Sequence, residues 1–80
     1  MSLPDFDQDL DTTGLNCPMP ILKAKKALAA MQPAQVLRIT TTDPSAELDF
    51  QAFARQTGNA LLAQEAGEGR VMRHFLRRKG

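Results

Sequence analysis

Apolar positions in this chain switch between the alternation of a strand and the three-to-four spacing of a helix. Gln8–Thr12 reads as a strand, with Leu10 on one face and Asp9 and Asp11 on the other. Aspartate is a poor strand former, so pattern and propensity disagree there. Ile21, Ala24, Leu28 and Met31 then recur at helical spacing, with Ala27 at the edge of the stripe. They predict an amphipathic helix that Gln32-Pro33-Ala34 stops. Val36–Thr41 is rich in strand formers, with Leu37 and Ile39 toward a core and Arg38 and Thr40 away from it. Ala46, Phe50, Phe53, Ala54 and Thr57 share one face of a second helix, and Gly58-Asn59 offers the left-handed stop. Ala60–Ala66 and Val71–Arg77 form a hairpin around Gly67-Glu68-Gly69.

The order is therefore strand, helix, strand, helix, strand, strand. The first strand–helix–strand unit calls for a right-handed parallel crossover. Two helices can cover only one face of a four-stranded mixed sheet, which gives an α/β (α+β) two-layer sandwich. Residues 1–80 are expected to form a single domain, with residues 1–6 as a loose arm.

Composition narrows the class. The chain is 42% hydrophobic and has four Phe with neither Trp nor Tyr, an ordinary globular balance. Its beginning, Met1-Ser2-Leu3-Pro4-Asp5, has neither the basic nor the apolar region of a secretory signal. No apolar run reaches membrane-spanning length, so the expectation is a cytoplasmic protein without a membrane partner. A net charge of +1 exerts no overall pull on nucleic acid. The charge is uneven, however: Asp5, Asp7, Asp9 and Asp11 load the start, and Arg70, Arg73, Arg77, Arg78 and Lys79 load the end.

The candidate chemistry lies at Cys17-Pro18-Met19-Pro20, which holds the only cysteine. It follows a turn signal, Gly14-Leu15-Asn16. A residue before proline is pushed out of the helical region, so Cys17 reads as the cap of the first helix and Pro18 as its first residue. A thiol at the positive end of a helix favours the thiolate, and a modestly lowered pKa follows. Neither proline has an amide hydrogen, which leaves the Met19 amide as the nearest donor to the sulfur. The bland reading is a cysteine buried as a small hydrophobe. Lys23 and Lys26 are either a solvated helix face or a surface that steers an acidic partner. Asp43-Pro44 repeats the cap-and-proline device at the second helix.

Arg73, Phe75 and Arg77 alternate onto one sheet face, in the manner of an RNA stacking platform. Asp9, Asp11 and Arg38 share that face, and cross-strand charge pairing accounts for it without RNA. His74 falls with Met72 and Leu76 as a packing residue. A lone Cys and a lone His far apart make no dedicated metal site, and no bound cofactor is expected. No Gly-rich phosphate loop, carboxylate dyad or nucleophilic triad is present.

Gly14-Leu15-Asn16-Cys17-Pro18-Met19-Pro20 closely resembles the signature of the TusA, or SirA-like, family of sulfur carriers. Leu10-Asp11, the Lys-rich helix, Asp43-Pro44, Asp49, Gly58 and the closing basic strand extend the likeness over about residues 8–79. The resemblance implies a βαβαββ fold in which Cys17 is the catalytic residue, with Pro18, Met19 and Pro20 in support. Cys17 would accept sulfane sulfur as a persulfide from a cysteine desulfurase or rhodanese-like donor and relay it to an acceptor protein. Lys23 and Lys26 are candidate docking residues, and a monomer is expected. Family members serve tRNA thiolation, molybdenum-cofactor enzymes or dissimilatory sulfur metabolism. Asn16 and Met19 stand where the tRNA-thiolation member has arginine and glutamate, so the motif does not select the pathway. The alternative is a regulatory or RNA- and protein-binding module of the same fold.

Overall fold

The computed structural model describes residues 3–80. The elements are β1 (Gln8–Asp11), α1 (Met19–Ala29), β2 (Val36–Thr41), α2 (Ala46–Thr57), β3 (Ala60–Ala66) and β4 (Met72–Arg77). The sheet order is β1-β2-β4-β3. β1 pairs with β2 in parallel, and β4 runs antiparallel to both β2 and β3. The expected two-layer α+β sandwich on a mixed sheet is the observed one.

The apolar stripes explain the layering. Ala24, Leu28 and Met31 from the α1 segment meet Ala46, Phe50 and Phe53 of α2 over Leu37, Ile39 and Leu76 of the sheet. Leu10, Ile21, Ala27, Ala54 and Leu61 pack against this cluster. α1 begins and ends two residues earlier than its apolar stripe. The amides of Ala30 and Met31 bond three residues back, to the carbonyls of Ala27 and Leu28, so a tightened turn carries the last apolar residue inward. Gly58 ends α2 with φ +82°, and its amide bonds the Ala54 carbonyl.

β3 departs from simple alternation. A bulge sets Leu61 opposite Leu76 and Ala63 opposite Phe75, with Leu62 between them exposed. The shift turns Gln64 toward the helix layer, where its amide bonds His74 Nδ1 at 3.0 Å and the Glu47 carbonyl at 2.9 Å. His74 is more deeply placed than a half-buried packing residue, being 0% exposed. Its ring stacks on Phe50 with centroids 4.6 Å apart.

The opposite sheet face is paired and covered. Arg38 donates to both carboxylate oxygens of Asp9, at 3.1 and 2.7 Å, and its guanidinium lies 4.1 Å from the Phe6 ring centroid. Phe6 leaves the N-terminal arm to pack on Phe75, whose own exposure is 2%. Arg73 faces Glu65 at 4.0 Å, and Asp11 accepts locally from the Thr13 amide. Phe75 is therefore not an open stacking platform. Among the described residues, no helix is long and apolar enough to cross a membrane.

Candidate functional site: a thiol between two helix starts

Parallel pairing of β1 and β2 brings the ends of both strands, and the loops that follow them, to the same edge of the molecule. The β1–α1 loop is tied down at its base. Thr12 is buried and bonds the Thr40 carbonyl through both its amide, at 2.9 Å, and its hydroxyl, at 2.7 Å. The Leu15 amide returns to the Thr12 carbonyl across a turn in which Gly14 has φ +80°, a conformation glycine adopts without strain. The Gly14 amide donates to Thr42 Oγ1 in the β2–α2 loop at 2.8 Å. A second turn follows, closed by the Met19 amide on the Asn16 carbonyl at 2.8 Å. Cys17 stands on that turn, exposed to solvent.

The capping expected from the sequence is displaced by one residue. Pro18 is the cap, Met19 the first helical residue and Pro20 the second. Cys17 precedes the cap, and the first helical bond runs from the Leu22 amide to the Pro18 carbonyl. The Met19 amide, expected to face the sulfur, is already committed to Asn16.

Asp43 likewise is not the cap of α2, because Ser45 holds that position. Asp43 fastens the two loops together instead. Its Oδ2 accepts from the Cys17 amide at 2.8 Å and from Ser45 Oγ at 2.8 Å, and its Oδ1 accepts from the Ser45 amide at 3.2 Å. Asp49, in the first turn of α2, has its Oδ2 3.1 Å from the same Ser45 hydroxyl. Cys17 Sγ and a carboxylate oxygen from each of Asp43 and Asp49 all lie within 4.8 Å of one another. This is the one grouping of three metal-type donors among the described residues, and we assign no ion to it.

These neighbours reverse the expected acidity. The Cys17 thiol titrates above its ordinary value, first because Asp49 accepts a hydrogen bond from the protonated thiol, then through desolvation and the negative charges of Asp49 and Asp43. A bond with Ser45 opposes the rise. The lowered pKa expected from the helix end is thus overturned: helical amides do not reach the sulfur, whereas two carboxylates do. Asp43 itself titrates low, chiefly through the two bonds from Ser45.

Apolar side chains are exposed at the starts of both helices. Met19, Leu22 and Leu48 are 41%, 51% and 70% exposed, on the opening turns of α1 and α2. Lys23 and Lys26 are exposed on α1. A groove of about 720 Å³ lies elsewhere, lined by residues that include Lys25, Leu28, Phe53, Thr57 and Lys79. Cys17 does not line it, so the sulfur is presented on a surface rather than in that pocket.

Asp43, Ser45 and Asp49 were not singled out as site residues by the sequence reading. Their signal was an Asp-x-Ser-x-x-x-Asp spacing at the start of an acidic helix, which by itself reads as ordinary complementarity to the helix dipole.

The family model described as Sulfurtransferase TusA matches residues 8–78. The sulfur carrier protein TusA of Allochromatium vinosum is 53% identical over 77 residues, which is 96% of this chain and 99% of that one. The sulfur carrier protein TusA of Pseudomonas entomophila is 36% identical over 73 residues, 91% of this chain and 90% of that one. The crystal structure of a SirA-like protein from Desulfitobacterium hafniense superposes with a TM-score of 0.80 at 21% identity, covering 92% of this chain and all of that one, and so supports the fold. The chain belongs to the TusA family of sulfur carriers.

Proposed function

We propose that Cys17 is the sulfur-bearing residue. It accepts sulfane sulfur as a persulfide from a donor such as a cysteine desulfurase or a rhodanese-like protein, and relays it to a cysteine of an acceptor protein. The observation that carries this reading is the exposure of the chain's only cysteine on a tied loop, in a member of a sulfur-carrier family. With no second thiol in the chain, a persulfide on Cys17 has no internal attacker to close a disulfide.

Mechanistically the demands are small. The Cys17 thiolate attacks the outer sulfur of the donor persulfide, the donor's S–S bond breaks, and a like bond forms on Cys17, so the exchange is close to balanced. Pro18 and Pro20 stiffen the presenting turn, and Met19, Leu22 and Leu48 supply an apolar rim for a protein partner. Lys23 and Lys26 can steer a partner of opposite charge. The reading places the protein in the cytoplasm, where thiols stay reduced. Its final use, tRNA thiolation or another sulfur pathway, depends on which acceptor docks.

The test is intact-mass spectrometry after incubation with a cysteine desulfurase, cysteine and pyridoxal phosphate. The chain should gain one sulfur, about 32 Da, and Cys17→Ser should gain none. A mass that stays constant with desulfurase and rhodanese-type donors alike would favour a binding module that keeps the fold and leaves the thiol unused.

A further inference from the structure

The loops around Cys17 hold more acceptors than protons. Asp43 is well supplied by the Cys17 amide, the Ser45 amide and Ser45 Oγ. Ser45 Oγ is also 3.1 Å from Asp49 Oδ2. A hydroxyl carries one proton, so it serves Asp43 or Asp49 at any moment and never both. While it serves Asp43, Asp49 is left without the hydroxyl proton, and the Cys17 sulfur and a carboxylate oxygen of each aspartate lie within 4.8 Å of one another. The charged groups acting on the sulfur are Asp43 in the β2–α2 loop and Asp49 on α2. From α1, Lys23, Lys25 and Lys26 are exposed and none is paired with it.

We infer that Asp49 is a positioning residue that keeps the proton on the Cys17 sulfur in the empty carrier, and that Ser45 relaxes this hold by turning its hydroxyl from Asp43 to Asp49. The inference rests on the reading of Cys17 as the sulfur-bearing thiol. The raised pKa of the thiol agrees with it. Its consequence is chemical restraint: the thiolate is the species that attacks electrophiles and oxidants, so a protonated sulfur is spared between encounters. In transfer the Cys17 S–H bond must break as the new S–S bond forms. The donor's S–S bond breaks in the same step, and the released donor thiolate ends with the proton, with no net oxidation.

The test is the rate of iodoacetamide alkylation of Cys17 against pH, in the wild type, Asp49→Asn, Ser45→Ala and Asp49→Glu. Asp49→Asn should alkylate several-fold faster near pH 7, with its profile moved to lower pH. Ser45→Ala should move the other way, because both carboxylates then lose their hydroxyl and lean harder on the thiol. Asp49→Glu, which keeps an acceptor, should stay close to the wild type. Oxidation by hydrogen peroxide should follow the same order. General loosening of the loop would move Asp49→Asn and Ser45→Ala in the same direction, and that outcome overturns the inference, as do superimposed profiles. The measurement needs no sulfur donor. A shifted profile without persulfide formation therefore sinks only the carrier reading, and persulfide formation with an unshifted profile sinks only the role of Asp49.

Discussion

Two polar networks involve α2, and they treat a titratable side chain in opposite ways. In the first, His74 lies under the helix layer. Its Nε2 is 2.9 Å from Thr41 Oγ1 and its Nδ1 is 3.0 Å from Gln64 Nε2. The Gln64 Nε2 nitrogen can only donate, which makes Nδ1 the acceptor and puts the ring proton on Nε2, toward Thr41. Thr41 donates onward to the Met72 carbonyl, and Gln64 accepts from Gln51. Every partner is matched, and burial holds the imidazole neutral, with its pKa lowered to about 4. In the second network Cys17 lies in solvent among two carboxylates and one hydroxyl. Complete pairing in a dry site makes a group silent over the neutral range. Incomplete pairing at the surface leaves a group whose protonation is set by the few charges beside it.

Several substitutions would break or sharpen that contrast. The largest effect is expected at Phe50→Ala, which removes the ring stacked on His74 and opens a cavity in the helix layer. It should cost about 3–5 kcal/mol in denaturant unfolding. A cost as small as that of a surface substitution would mean that the layer collapses around the gap. Gln64→Ala should follow, at roughly 1–3 kcal/mol, because His74 Nδ1 would be buried without a donor.

Acid then separates the networks. His74 binds its proton less readily when folded, about 4 against an ordinary 6.5, so the unfolded chain holds more protons in between. Its contribution is therefore full above pH 6.5 and is lost as pH falls toward 4. The loss should be about 3 kcal/mol. Urea unfolding at a series of pH values measures it, and a flat profile would show that the ring takes up its proton as readily in the fold as in the unfolded chain. At the small end, Cys17→Ser should leave the thermal midpoint and the acid profile unchanged, while abolishing persulfide formation. A clear drop in the midpoint would move the thiol into the structural class.

Much of the scaffold was legible because its periodic signals are strong. The stripe Ala24, Leu28, Met31 and the face Ala46, Phe50, Phe53 are both buried as their spacing requires. β2 and β3 have the bounds their composition suggests. β1 exists despite its aspartates, since Asp9 stands opposite Arg38 in the parallel ladder and pairs with it. The cap positions were misplaced because a turn precedes each helix, closed by the Met19 amide on the Asn16 carbonyl and by the Ala46 amide on the Asp43 carbonyl, and it starts the helix later than the proline step suggests. The β3 bulge left no mark in the pattern of alternation.

By itself the sequence determined the order of the elements, the apolar faces that pack, and the position of a lone thiol at a loop-to-helix step. Those properties follow from spacing and from proline and glycine chemistry, which act within a few residues. Only the tertiary structure decided what surrounds that thiol. Asp43 and Asp49 are far from Cys17 along the chain, and they reach it because two parallel strands end side by side and start their helices at the same edge. Charge acts through space, so the acidity of Cys17 belongs to the fold and could not be read from the motif alone.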